Sequence, residues 1–483
     1  MGSKVIIIGA GLTGLSAGIH LQKMGVKTEI FEISGEAGGM CIAWNRKGFR
    51  FDGCIHWMVG TAPGNPINEI YREVDALVED TEIYNSKSIK IEIDGTFYEI
   101  PMQLEEFKNF MLKLSPEDSD LINDFCHLIE TMRDTQMPIG PPSNISELTN
   151  LLKDSRGFLS LARKYVGIPV KSYVERFKDP VIKKLIYELM SPQYSMVALI
   201  MMLGTRMGNN AGYPIGGSYG VISRMKNKYY QLGGKINFNS KVDEIVIENG
   251  RAVSIKSKGN LYPADAVIAA CDMYDTLKNM LGGRYKHPQL DSMLESAELF
   301  HPIVLVSFGL NNRFNLPYSQ AFDCPEGIQT APDFVDYSLN LRSFEFDPSA
   351  APENCSSVMV LLGSKLDFWK NLRDTNINEY RIRKQQLADK VADYLDHRIP
   401  GFKASIELTD VATPATYIRY ANLYKASWEG FVPTPELLKK NISKTVKGVK
   451  GLYLSGQWTT VGGGICTAVA SGKSAASSVQ KYI

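Results

Sequence analysis

Gly9, Gly11 and Gly14 follow an unbroken β-branched run, Val5 through Ile8. A stretch with helical patterning comes next. At this spacing the first glycine allows a tight turn. The second lets backbone approach a pyrophosphate, and the third lets helix and strand pack closely. Leu12 and Thr13 open the helix, whose first N–H groups and positive dipole end face the phosphate. Glu32 lies 21 residues beyond Gly11. Its carboxylate is suited to a ribose 2′-OH and would repel a 2′-phosphate. The chemistry is therefore dinucleotide binding, with the nicotinamide and flavin forms both open at this point.

A second group of residues could carry the reaction. Cys54-Ile55-His56-Trp57 places an imidazole, a side chain that exchanges protons near neutral pH, beside an aromatic ring. Tyr417, Tyr420, Tyr424 and Trp428 recur at helical spacing, giving either aromatic core or a wall along a planar cofactor. The run 195–203 is rich in methionine and apolar, which reads as core first and as a flexible tunnel wall second.

The elements that position these groups can be read from periodicity. Residues 4–8, 15–24 and 27–32 predict a strand, a helix and a strand. Residues 88–100 predict a hairpin turning at Asp94-Gly95. Residues 104–204 are mostly helical in pattern, interrupted at 138–142 by a proline-rich loop. A helix is expected at 221–232. Strands follow at 235–247, 252–256, 266–270, 302–310, 358–362 and 405–410, and a charged helix at 378–398. A last strand, 451–455, leads through glycines 462–464 into a helix at 467–479. Strand–helix units with glycine turns thus lie at both ends of an α/β chain. A mixed α+β region and a mainly helical segment fill the middle. This predicts a discontinuous Rossmann-like domain from 1–75, 205–275 and 445–483. Into it are inserted a hairpin at 76–104, a helical region at 105–204 and an α+β substrate domain at 276–444.

Composition narrows the function. The 483 residues carry 53 Lys and Arg against 52 Asp and Glu, a net charge of +1, which is a poor footprint for nucleic acid. Seven cysteines are scattered without a CxxC pair, so free thiols in a cytoplasmic protein are expected, with no disulfide framework and no metal site. No run reaches about 18 apolar residues, so nothing is expected to span a membrane. Membrane contact, if any, would be peripheral.

Further blocks carry a resemblance. Gly35-Glu36-Ala37-Gly38-Gly39-Met40, followed by Gly48-Phe49-Arg50-Phe51-Asp52-Gly53, resembles the second signature of the glutathione-reductase-like FAD superfamily. The branch is that of phytoene desaturases, carotenoid isomerases, retinol saturases and amine oxidases. Pro214-Ile215-Gly216-Gly217-Ser218 resembles its central block, and Gly451 through Gln457 with Gly462-Gly463-Gly464-Ile465 its third FAD signature. The resemblance implies non-covalent FAD. Gly38, Gly39 and Met40 would lie at the pyrophosphate, with Arg46 or backbone dipoles replacing the cation usual at position 40. Val242 would hold adenine through its backbone. Trp57, Gly456, Gly464 and Ile465 would lie along the flavin. His56 would move a proton, with Tyr417 and Trp428 as further catalytic candidates. The implied activity is desaturation, saturation or isomerisation of an apolar, polyene or lipid-like substrate, the electron partner being open. The alternatives are an amine oxidase or protoporphyrinogen-oxidase-like enzyme and, more remotely, an FAD-free binding protein like the Rab GDP-dissociation inhibitors.

Overall fold

The computed structural model describes residues 3–136 and 155–483. The loop expected at 138–142 lies outside them. The apolar runs near the termini meet in one five-stranded parallel sheet. Its order is Lys235–Asn237, Lys27–Phe31, Lys4–Ile8, Ala266–Ala269 and Leu452–Leu454. Val5, Ile6, Ile7, Val267 and Ile268 are fully buried, as a sheet covered on both faces requires. The helix Leu12–Lys23 leaves the central strand, and the final helix Ile465–Tyr482 packs along it. Ser16 Oγ donates to the Val469 carbonyl at 2.7 Å and Thr13 Oγ1 to that of Ala468 at 3.0 Å, tying the two chain ends together.

A second, seven-stranded sheet runs in the order Ile406–Ala412, Ile303–Leu310, Ser356–Gly363, Phe334–Ser343, Ser319–Ala331, Ser88–Ile93 and Thr96–Pro101. The helix Ile377–Arg398 covers one of its faces, packing Leu387, Val391 and Leu395 on Val304, Val306, Leu339 and Leu341. Among the described residues, the helices between 104 and 207 pack with the hairpin strands Ser88–Ile93 and Thr96–Pro101 in a further core, to which the helix Met196–Met207 belongs. The methionine-rich run is thus chiefly core.

Several expectations need correction. The strand expected at 235–247 is two strands in different sheets, Lys235–Asn237 and Val242–Glu248; the chain turns at Asn239, whose φ is +51°. The long strands Ser319–Ala331 and Phe334–Ser343 were not anticipated. Pro325 and Gly327 make the first read as a loop, and the pairing does slip there, between Asp323 and Ile328. The helix carrying Tyr417 ends at Asn422, whose φ is +49°, so Tyr424 and Trp428 lie beyond it and the four aromatics share no helical face.

Candidate functional site

The glycines of the first turn are required for different reasons. A Cβ at Gly14 would lie 1.9 Å from the Gly9 carbonyl oxygen, so the fold itself excludes any side chain there. At Gly11 the backbone has φ −75°, open to any residue, and the nearest atom to an added Cβ is the Gly38 oxygen at 3.6 Å. The protein gives no reason for glycine at this position; a ligand approaching the backbone does. The second signature completes the cradle. Gly38 N–H donates to the Ala10 carbonyl at 2.9 Å, and a Cβ at Gly39 would come within 3.3 Å of Gly11 Cα.

Glu32 is buried at the edge of this cradle. Its carboxylate accepts from the Ala10 N–H at 2.6 Å and the Ser34 N–H at 2.8 Å. Burial raises its pKa against these hydrogen bonds. Ser240 N–H donates to the Glu32 carbonyl, so Val242, first in its strand and 3% exposed, starts beside the acid. Met40 is half-buried in the turn, and Arg46 is the side chain expected to stand in for the cation. Its guanidinium is exposed and lies 3.5 Å from Asp410.

The third signature holds a group that sequence reasoning missed. Gly456 N–H donates to Ser471 Oγ at 3.0 Å, and Gly464 caps the final helix, which begins at Ile465. Glu429 lies against this turn: a Cβ at Gly463 would fall 2.4 Å from Glu429 Cγ. Among the described residues its carboxyl has no hydrogen-bond or ionic partner, and burial alone lifts its pKa to about 8. No motif marks Glu429 in the sequence. Its one signal is an acid inside the small and aromatic stretch Ser427-Trp428-Glu429-Gly430-Phe431.

Asp52 positions the loop that carries His56. Its buried carboxylate accepts from the N–H groups of Cys54 and Ile55, from Ser218 N–H and Oγ–H, and from Tyr213 O–H. A Cβ at Gly217 would lie 2.1 Å from Asp52 Oδ2, which is why the central block turns on glycine here. The His56 carbonyl accepts from Tyr318 O–H at 2.6 Å, while Nε2 of the ring is buried without a partner. Burial, aided by the charge of Arg342, pushes His56 down to about 3. The ring is therefore neutral at physiological pH and does not titrate near 7 as expected from its type.

His56, Trp57, Tyr84, Arg206, Tyr213 and Tyr318 line a small, partly open cavity of about 10 Å³, room for about one water molecule. The Arg206 guanidinium lies over the Trp57 ring, 5.6 Å from its centroid. Arg342 donates to the Leu341 carbonyl at 3.1 Å. Its charge is felt at both His56 and Arg206. Among the described residues neither arginine has a carboxylate partner. Both arginines were missed, though each carries a signal. Arg206 is the lone charge in the helix Met196–Met207. Arg342 alternates with the core residues Leu339 and Leu341, and so falls on the opposite face of its strand.

The remaining aromatic candidates separate. Tyr417 packs inward and its buried hydroxyl has no partner. Tyr420 is 48% exposed. Tyr424 stacks on Tyr274 at 4.2 Å, and Trp428 donates from Nε1 to the His301 carbonyl at 3.1 Å while packing on Phe300. The structure does not bring these four together as a wall.

Comparison with known proteins agrees with this cradle. The family described as flavin-containing amine oxidoreductase matches residues 12–480. The lycopene-forming phytoene desaturase of Pseudescherichia vulneris is 24% identical, over 98% of this chain and 98% of its own. A chloroplastic prolycopene isomerase of an Oncidium hybrid cultivar is also 24% identical, over 97% of this chain and 82% of its own. The solved cyclohexylamine oxidase of Brevibacterium oxydans shares the fold, with TM-score 0.61 at 14% identity, covering 100% of this chain and 99% of that one. Among the described residues no helix is long and apolar enough to cross a membrane. The chain belongs to the flavin-containing amine oxidoreductase family and is an FAD-dependent oxidoreductase.

Proposed function

We propose that the enzyme acts on carbon–carbon bonds of an apolar, polyene-like substrate, by desaturation, saturation or isomerisation. The observation that carries this reading is the end-to-end match to relatives named phytoene desaturase and prolycopene isomerase. Gly11, Gly14, Gly38, Gly39 and Glu32 would hold the pyrophosphate and ribose, Val242 the adenine side, and Gly456, Gly464 and Ile465 the far end. Bound flavin supplies two-electron exchange as hydride at N5, the redox chemistry being the cofactor's. The chain's task is the companion proton. In a desaturation the second carbon gives up a proton to a base. Glu429, with a pKa of about 8 and no competing partner, takes it when ionised and returns it in the reverse direction. His56, neutral in this cavity, serves as a hydrogen-bonding group at Nε2. Tyr417 and Trp428 shape the walls. An apolar substrate of this kind is drawn from a membrane surface by peripheral contact, which suits a cytoplasmic enzyme.

An amine oxidase is the weaker reading, because an amine arrives as a cation and the cavity beside His56 presents the Arg206 guanidinium. The test is anaerobic stopped-flow bleaching of the bound FAD with a panel of polyenes, unsaturated lipids and amines. Bleaching, or isomerisation by the reduced enzyme, is expected with polyenes. Rapid bleaching by amines alone would overturn the reading.

A further inference from the structure

The turn that delivers Glu429 is held in a costly backbone conformation. Asn422, Lys425 and Ala426 have φ of +49°, +53° and +53°. Among the described residues, Lys425 and Ala426 are the only two adjacent non-glycine residues in the left-handed region. A β-carbon is disfavoured there, and such residues persist only where their surroundings over-determine them. Two acids supply one side of those surroundings. The Asp272 carboxylate accepts the Tyr424 N–H at 2.8 Å and the Asp275 N–H at 3.0 Å. The Asp275 carboxylate accepts the Asn422 side-chain amide at 3.0 Å. On the other side, Ser427 Oγ–H donates to the Gly430 carbonyl at 2.8 Å, and the Phe300 N–H donates to the same oxygen at 3.0 Å. Glu429 stands inside that second loop, against Gly463.

Asp272 connects this turn to the cofactor domain. It is buried and follows the strand Ala266–Ala269, whose end backs the first glycine turn. A Cβ at Gly9 would lie 2.7 Å from the Ala270 carbonyl oxygen and 3.5 Å from Cys271 Cβ. We propose that Asp272 is a positioning residue: it ties the strained turn to the end of the cofactor sheet and so keeps Glu429 buried at the third glycine turn. This rests on the reading of Glu429 as the base and deepens it. Without the carboxylate, the Tyr424 N–H loses its acceptor, and Lys425 and Ala426 relax toward the right-handed region that their side chains prefer. The chain then enters the Ser427–Gly430 loop at another angle, and water reaches the Glu429 carboxyl. A solvated carboxyl returns toward its ordinary range. The strain thus serves the chemistry, since an acid tuned by burial needs a turn that does not relax.

The test uses the FAD-loaded enzyme and infrared difference spectra taken between about pH 6 and pH 10, a range in which ordinary carboxyls are ionised throughout. Burial lifts Asp272 only to about 6, at the edge of that range. The carbonyl stretch of protonated Glu429 is identified as the band missing from Glu429→Gln. In the wild type it should fade with a midpoint near 8. In Asp272→Ala the midpoint should drop by about one pH unit or more, a tenfold weaker hold on the proton, with the flavin content unchanged. Adding Lys425→Gly should restore part of the drop, because glycine takes a positive φ without the β-carbon penalty. Lys425 is exposed, so this exchange empties no core. Asp272→Asn keeps one acceptor oxygen and should move the midpoint the same way by less; it carries the test if Asp272→Ala fails to fold. A midpoint that stays near 8 in these variants, even with a lower melting temperature, would make Asp272 structural only and overturn the proposal, leaving Glu429 as the base. Loss of FAD would assign Asp272 to the cofactor cradle and overturn it as well. If no band of the wild type depended on Glu429, the reading of Glu429 as the base would fall together with the proposal.

Discussion

Glu429 and His56 show how burial decides which titratable side chain is usable at physiological pH. A carboxyl without donors loses solvation only in its charged form, so its pKa rises; an imidazole loses solvation as the cation, so its pKa falls. Glu429 thereby reaches about 8 and His56 about 3, which exchanges the roles that their ordinary values would assign. If Glu429 takes the substrate proton, the rate of flavin reduction rises as pH passes through about 8 and levels off above it. Glu429→Gln should lower that rate about 10²–10⁴-fold and flatten the profile. The same shift fixes the sign of a stability effect. The folded state holds the proton more tightly than the unfolded chain, whose value is near 4.5. The stabilising contribution is complete below that value and is lost as pH climbs through about 8. Urea midpoints of the apoprotein should therefore fall across this window, and fall less in the Gln variant. An unchanged pH profile in Glu429→Gln would exclude it as the base. His56→Gln, by contrast, should leave the profile unmoved between pH 5 and 9, since its ring is uncharged throughout. The sequence could name His56, because motif position led to it. It could not name Glu429, because nothing in its neighbours encodes that they will withhold every hydrogen bond.

At the scale of elements, the strand–turn–helix at the N-terminus was legible because each of its constraints is local. Val5 to Ile8 pack on both faces, and the turn must clear the first helical residues. The final helix and the hairpin at Asp94-Gly95 were legible for the same reason. The strands Ser319–Ala331 and Phe334–Ser343 were not: they pair with each other as a hairpin, but Pro325 and Gly327 interrupt the first, and its other neighbour, Ser88–Ile93, lies far along the chain. The break after Asn237 falls at Asn239-Ser240-Lys241, residues suited to a turn, but nothing in the sequence shows that the strands on its two sides join different sheets. Within the first turn, the motif gives Gly11 and Gly14 different reasons, and the structure turns each into a separate test. Gly14→Ala must push the new methyl against the Gly9 oxygen, so it should cost about 1–3 kcal/mol, as for overpacking, with a lower melting temperature of the apoprotein. Gly11→Ala meets no protein atom closer than 3.6 Å, so it should fold with nearly wild-type stability and yet bind FAD poorly. Thermal melts of the two apoproteins, followed by flavin titration, check both halves. A Gly11→Ala protein that fills normally with FAD would remove this turn from the pyrophosphate site.

At the scale of the whole molecule, the cofactor domain exists only when both ends of the chain are in place. Its sheet takes strands from the beginning, middle and end of the sequence. Loop closure over such separations is slow to form and rewarded only when the last pieces dock. The two chain ends meet where helices Leu12–Lys23 and Ile465–Tyr482 pack, and Gly472 sits in that contact. A Cβ there would lie 2.5 Å from the Thr13 carbonyl oxygen, 2.8 Å from Ser16 Cβ and 2.9 Å from Ala17 N. All three neighbours lie at the start of the helix Leu12–Lys23, beside the glycines proposed to hold the pyrophosphate. Any displacement of the final helix is therefore transmitted directly to the cradle, and it also moves Gly464 and Ile465 at its other end. Gly472→Val should lower stability by about 1–3 kcal/mol, the cost of forcing methyl groups into a packed interface. FAD affinity should fall with it, although the residue touches no part of the proposed cofactor site. The two effects should be coupled: saturating FAD should restore part of the lost melting temperature, since a ligand that binds only the native state stabilises it by mass action. A conservative exchange on the exposed side of the same helix, such as Lys481→Arg, should change neither quantity. If Gly472→Val melted like the wild type and kept its flavin through dialysis, the two ends of the chain would not be mechanically linked through this contact.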